Sequence, residues 1–562
     1  VKWIFFLGLS VFLCVAYDVG FEWNSDFIAI EAYYQDLVHG ISFSGWVLPN
    51  CPSFFPDFLV YLTVRPWTQN INFCLLVFGT AITLGLFLYA ERFKPLAPNG
   101  VFYVLVWLGL FLTLFSREYF MFLAPICHGG SFVMLLWCAY WYFSRAELRA
   151  RMACGLMSGL LLWNDPLILV QFFVPLICVD FYFLFVHRSS ISGRRDLVLR
   201  LRQVLAFVLP ALATYFLTAI LFKVWLGLTP VDSRGHPFFE MERMAQSLRA
   251  FGDHVIRFKF KLLVLAAAFW VGFGKARTRP IYAFMMVSIV STLAFVLAGG
   301  FWSDSSNARY FYMLPMFVCL ILAELFFERL WRVSKNWSGI VLVVIAVLAS
   351  QRILRFFEAA SNPLLNPPYP SEIACVDRQF QSSRIEVGYG EYWTAKRVPY
   401  LSRRKIRLLQ VGTDFQIFAF NINLNWYLNL SPPTFFIRDV VRDQLKPEAL
   451  LAKWGTPSTV IDCGQLQIWK YNRDLATINP AESNLTLFIS SLVRFLCGPR
   501  FRPLDVAHGY ALKQIEKTSA VAASGQGFKF PCRAECRRAG TLAVCAGQIR
   551  VAALQSNDAI RS

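Results

Sequence analysis

Apolar runs of membrane-spanning character recur along the first two thirds of this chain, near residues 1–17, 71–90, 101–115, 130–144, 152–163, 166–186, 204–226, 259–273, 281–299, 310–327 and 338–350. A full helical span needs about 20 apolar residues, and several of these runs are shorter, so flanking aromatic and loop residues must complete them. A chain that is 57% hydrophobic and 17% aromatic lies outside a soluble globular composition. The fold class expected is therefore an α-helical polytopic membrane protein over residues 1–350, followed by a soluble C-terminal α/β domain over 356–562. No small-residue cleavage site follows VKWIFFLGLSVFLCVAY, so that segment reads as a retained first span and not as a removed signal peptide.

Charge fixes the count and the orientation. The net charge of +19 would suit a nucleic-acid binder, but the cations sit in short clusters between apolar runs. The clusters are Arg92 with Lys94; Arg145, Arg149 and Arg151; Arg188, Arg194, Arg195, Arg200 and Arg202; Lys275, Arg277 and Arg279; and Arg329, Arg332 and Lys335. Eleven spans place all five on the side of the N-terminus, as cytoplasmic loops facing anionic lipid require. Merging 152–163 with 166–186 across Asn164, Asp165 and Pro166 would split them between two sides. The expectation is a multi-pass membrane protein, N-terminus cytoplasmic and C-terminal domain extracytoplasmic, with membrane lipids as partners and no nucleic acid.

The first outer loop, 18–70, carries six acids from Asp18 to Asp57 and neither Lys nor Arg in that interval. Within it DFIAIEAYYQDLVHG reads as an amphipathic helix with Phe27, Ile30, Tyr34 and Leu37 near one face, started by Asn24 or Ser25 and ended by Gly40. Prolines 49, 52 and 56 then suit a strained loop before a short apolar helix at the membrane surface. A second outer loop spans 227–258. Beyond the Pro-rich boundary SNPLLNPPYP, KIRLLQV reads as a strand, PEALLAKWG as a helix, TPSTVIDCGQLQIWKY as a turn and strand, and 485–497 as a helix. Eight cysteines fall outside: Cys51, Cys127, Cys375, Cys463, Cys497, Cys532, Cys536 and Cys545. That compartment permits disulfides, whose pairing sequence does not give.

The polar residues that carry chemistry cluster on the outer side. Asp26, at the start of the loop helix, is placed to act as a general base or to cap the helix. Asp57, beside an apolar run, needs a partner and is the rival acid or again a cap. His128 lies in APICHGGSF, where paired glycines admit close approach of a ligand or a tight helix start. Arg309 and Tyr310 stand at the outer mouth of a span, suited to a bidentate grip on a lipid phosphate or to headgroup anchoring. His39, His236, Asn164 and Asp165 are candidate substrate contacts or loop residues. These groups allow a divalent cation, but their spacing matches no compact ligand motif, so no metal ligand is assigned.

Many spans, an acidic first outer loop with a surface helix, an RY pair at the outer start of a late span and an outer α/β domain together resemble the polytopic C-type glycosyltransferases of the GT-C fold. Bacterial members of that family include aminoarabinose and mannosyl transferases using polyprenyl-phosphate sugars. The resemblance covers residues 1–350 as topology together with a few short motifs. It implies an acid from the first outer loop as catalytic residue, which falls on Asp26 of WNSDF, with Phe27 where members often have Glu. It further implies Arg309 on the carrier phosphate, and inverting transfer of sugar from the carrier to a glycan, lipid or protein acceptor. A transporter or lipid flippase, and a non-catalytic envelope-assembly subunit, are the competing readings. A transporter would place polar residues in broken helices near mid-membrane.

Overall fold

The computed structural model describes residues 2–475 apart from 19–24, 50, 94–98, 124–127, 146, 187–193, 227–228, 231–239, 258, 303–309, 359–368, 381–384 and 428–430. The helix expected at 485–497 and Cys127, Cys497, Cys532, Cys536 and Cys545 lie outside the described residues. So does most of the Pro-rich boundary.

Every one of the eleven apolar runs falls on a helix: Lys2–Asp18, Ile71–Glu91, Gly100–Leu123, Gly129–Ser144, Leu148–Asn164, Leu169–Phe173 continuing as Val174–Val186, Arg194–Leu226, Lys259–Ala276, Pro280–Ala298, Met313–Leu325 continuing to Val333, and Lys335–Glu358. Four segments are long and apolar enough to cross a membrane by length and composition: Ile71–Glu91, Leu201–Val224, Pro280–Ala298 and Lys335–Leu354. Only 17% of the apolar window in Leu201–Val224 is buried within the protein, and 11% of that in Lys335–Leu354. Leu209, Phe216, Leu217 and Ile220 point outward from the first, and Ile340, Val343 and Val347 from the second. Helices with such exteriors are stable against lipid chains, where every backbone polar group is already satisfied inside the helix.

Inside the bundle, small residues bring backbones together. A Cβ on Gly155 would stand 2.3 Å from the Phe207 carbonyl oxygen, and one on Gly159 2.1 Å from that of Ala211. The helices Leu148–Asn164 and Arg194–Leu226 therefore meet backbone to backbone along a small-xxx-small stripe, the close packing that replaces hydrophobic drive between helices in lipid. Aromatic and aliphatic side chains such as Trp107, Phe111, Phe172, Phe284 and Phe317 fill the remaining core.

The connections alternate between two ends of this bundle. At one end Lys2 pairs with Glu91 at 2.8 Å, Arg92 lies over the rings of Trp137 and Tyr140, and Lys275 and Arg279 hold the buried Glu324. At the other end three segments distant in sequence make a small sheet. Trp46–Leu48 runs parallel to Thr229–Pro230 and antiparallel to Ile422–Asn423. The first loop, the start of the 227–258 loop and the α/β region thus share one face of the molecule.

The loop helix Ser25–Val38 is more deeply packed than an amphipathic surface helix. Ile28, Ala29, Ile30, Glu31, Ala32, Tyr33 and Asp36 are buried, whereas Leu37, expected on the apolar face, is half exposed and Tyr34 only partly covered. The α/β region packs over this helix, so burial follows tertiary contact and not the 3.6-residue stripe. Its end is the one expected: Gly40 has φ +65°, and Ile41 N–H donates to Asp36 O across the terminal turn at 2.9 Å.

The α/β region holds a five-stranded sheet in the order Ile406–Gln410, Glu386–Gly390, Phe435–Asp439, Leu466–Lys470, Thr459–Cys463. The first three strands are parallel and the last two antiparallel to their neighbours. Alternation sorts the side chains: Ile406, Leu408, Phe435, Ile437 and Ile468 face Ile373 and Val376 of the helix Ser371–Arg378, and Leu409, Phe436 and Trp469 face Leu450 and Trp454 of Pro447–Trp454. Ile28 of the loop helix and Leu75 of the bundle join the first of these cores. A disulfide between Cys375 and Cys463 ties the first helix to the edge strand.

Candidate active site at the loop-bearing end

The turn Phe54–Phe58 carries Asp57 onto the start of the helix Gly129–Ser144. A Cβ on Gly130 would lie 2.0 Å from Asp57 Oδ1, so this glycine of the HGG pair leaves room for a carboxylate of the protein itself. Asp57 is buried, and its negative charge meets a helix N-terminus, whose unpaired N–H groups and dipole favour an anion. Asn164 locks the same turn: its Oδ1 accepts Phe55 N–H at 3.1 Å and its Nδ2 donates to Ser131 Oγ at 3.3 Å.

His128 caps that helix from a left-handed conformation, φ 65° and ψ 0°. Its Nδ1 lies 2.5 Å from Asp165 Oδ2 and 3.5 Å from Cys51 Sγ. Asp165 is held on its other side by Leu167 N–H, which donates to Oδ1 at 3.1 Å. Burial, reinforced by the negative charges of Asp165 and Asp57, pushes the Cys51 thiol well above its ordinary range. The ring of Tyr310 meets the His128 ring edge-on, with centroids 5.8 Å apart, and its carbonyl accepts Gln171 Nε2 at 2.9 Å.

Asp57, His128, Asn164, Asp165 and Tyr310 of the sequence-derived set therefore come together at one end of the bundle. Asp26 is the second residue of the loop helix, and its side chain lies outside the described residues, as do Arg309 and His236. His39 is exposed elsewhere, on an open groove of about 690 Å³ lined also by Tyr34, Arg65 and Trp67. There its Nδ1 is 2.7 Å from Gln35 O. Cys51, which the sequence suggests only as a disulfide candidate, joins the cluster through its contact with His128. Its place among Pro49, Pro52 and Pro56 in the first outer loop was the available signal.

Two further acids of the first loop are structural. Glu31 takes Arg65 Nε and Nη2 at 2.8 Å each and also the Tyr61 hydroxyl, a forked pair that offsets the cost of burying both charges. Asp36 accepts Trp46 Nε1, Asn423 Nδ2 and Trp426 Nε1 at 2.7–2.8 Å. Burial raises its pKa, and these three donors oppose the rise. It fastens the loop helix to the α/β region, as does Tyr33, whose hydroxyl donates to Asn421 Oδ1 at 3.0 Å.

No protein-family model and no curated protein matches the chain. Solved structures similar to it include two of ArnT from Cupriavidus metallidurans. The one bound to undecaprenyl phosphate has 13% sequence identity and a TM-score of 0.47, with 85% of this chain and 99% of that chain covered. The apo structure has the same identity and score, with coverages of 83% and 97%.

Proposed function

We propose that this protein is a membrane glycosyltransferase that moves a sugar from a polyprenyl-phosphate carrier to an acceptor on the face bearing the α/β region. The observation that carries this reading is the convergence of Asp57, His128, Asn164, Asp165 and Tyr310 at the loop-bearing end of a lipid-facing bundle. A lipid-linked substrate needs that division: apolar helix surfaces for its tail, and polar groups at the rim for its phosphate and sugar. The acceptor is activated by a loop-one carboxylate, Asp26, acting as general base while the anomeric carbon develops positive charge. Arg309 neutralises the departing phosphate with a bidentate fork, and transfer proceeds by direct displacement with inversion.

Purified protein reconstituted in vesicles with labelled polyprenyl-phosphate sugar tests the proposal. Carrier-dependent transfer of label to acceptor supports it. Movement of carrier across the bilayer without bond cleavage would replace it with transport, and neither activity would leave an assembly role.

A further inference from the structure

We propose that Cys51, His128 and Asp165 form a binding site for a zinc-class divalent cation. The three donors come from three separate connections, yet their ligand atoms all lie within 4.8 Å of one another. Tetrahedral zinc, at about 2.0–2.3 Å from N, O and S ligands, sets those atoms roughly 3.3–3.8 Å apart. Cys51 Sγ and His128 Nδ1 already stand at 3.5 Å. Nδ1 and Asp165 Oδ2 stand at 2.5 Å, and to take an ion in place of their direct contact they need to separate by about 1 Å.

The donor set names the class of ion. A thiolate, an imidazole and a carboxylate suit zinc, whereas magnesium and calcium take oxygen ligands. The surroundings already orient the ligands. Leu167 N–H holds the outer oxygen of Asp165, the kind of support from behind that fixes a ligating carboxylate. His128 is held in a left-handed conformation that non-glycine residues seldom adopt, a local cost that recurs at functional sites. Cys51 and His128 are only partly buried. Three protein donors leave tetrahedral zinc one position for water or another oxygen ligand. The site shares His128 and Asp165 with the cluster behind the transferase reading, but its test does not depend on that reading, because the bound ion itself is the readout.

The test uses the full chain in detergent, first stripped of metal and then titrated with Co²⁺ or Zn²⁺. Expected are one tight equivalent and a thiolate-to-cobalt absorption in the near ultraviolet that disappears in C51S. H128N and D165N should lose affinity by more than the roughly 10- to 100-fold that loss of an outer supporting partner costs. A triple variant C532S/C536S/C545S should keep the band. Alkylation of Cys51 in the unmutated protein, followed by peptide mass analysis, decides the matter even if a variant fails to fold: Zn²⁺ should slow it about tenfold or more, reversibly with chelator. Alkylation of Cys51 indifferent to Zn²⁺, a band that survives C51S, or a band lost in the triple variant would each overturn the assignment.

Discussion

At the scale of single residues, Asp57 and Gly130 are one device. Because a Cβ on Gly130 would sit 2.0 Å from Asp57 Oδ1, G130A must displace the carboxylate. If Asp57 belongs to the transfer site, turnover should fall by about 10²-fold with the protein still folded, the usual consequence of moving a group by about 1 Å. D26N should reduce turnover by roughly 10²–10⁴ while donor dependence persists, since it removes the base but preserves side-chain size. Normal turnover in D26N together with an inactive D57N would transfer the base role to Asp57. Asp443, in the α/β region, gives a pH prediction. Burial and the nearby Glu391 and Asp439 raise its pKa from the ordinary carboxylate value to about 7. A raised carboxylate favours the folded state below its unfolded pKa, near 4, and that contribution is lost as pH climbs through 7. D443N should therefore flatten the decline of thermal stability between pH 5 and 8 and be the more stable protein at pH 8, by ~1 kcal/mol; an unchanged slope would show that Asp443 ionises normally. The sequence marked Asp57, His128, Asn164 and Asp165 individually, through prolines, paired glycines and interrupted apolar runs. It did not join them, because the contacts bridge 37 to 109 residues and depend on how helices pack.

At the scale of elements, the sequence was most readable where a period repeats. All eleven apolar runs are helical, and in the α/β region the KIRLLQV strand and the PEALLAKWG helix stand where apolar alternation and turn residues placed them, whereas TPSTVIDCGQLQIWKY, read as a turn and a strand, forms two strands joined as a hairpin. The loop helix departed from its pattern because it is covered from several directions, by Trp46 and Phe54 of its own loop and by Tyr400 and Trp426 of the α/β region. Small residues were legible but unread: Gly155 and Gly159, four apart, are the contact stripe of their helix. G159A should lower the melting temperature of purified protein, with a cost of about 1–3 kcal/mol, because the new methyl meets a backbone carbonyl that cannot swing aside. Gly274 has nothing within 4 Å of its Cβ position, so G274A should be neutral or stabilising by about 0.5–1 kcal/mol, since Ala is the better helix former. Equal responses at the two positions would remove the close-approach argument.

At the scale of the whole molecule, alternating connections and the three-segment sheet make a topological claim. Residues 46–48, 229–230 and 422–423 are hydrogen-bonded neighbours and so must lie on one side of any membrane the bundle crosses. Lys2, Glu91, Arg92, Lys275 and Arg279 gather at the opposite end, where the excess of cations favours the cytoplasm. Single cysteines introduced near residues 230 and 400, in a background where Cys375 and Cys463 remain paired, should therefore react with an impermeant thiol reagent added to intact cells. A cysteine near residue 195, at the start of Arg194–Leu226, should react only after the membrane is opened. Labelling of 195 together with 400 in intact cells would make the number of crossings between them even and remove one span from the eleven. Labelling of 230 without 400 would be incompatible with the small sheet itself, since its strands cannot pair across a bilayer.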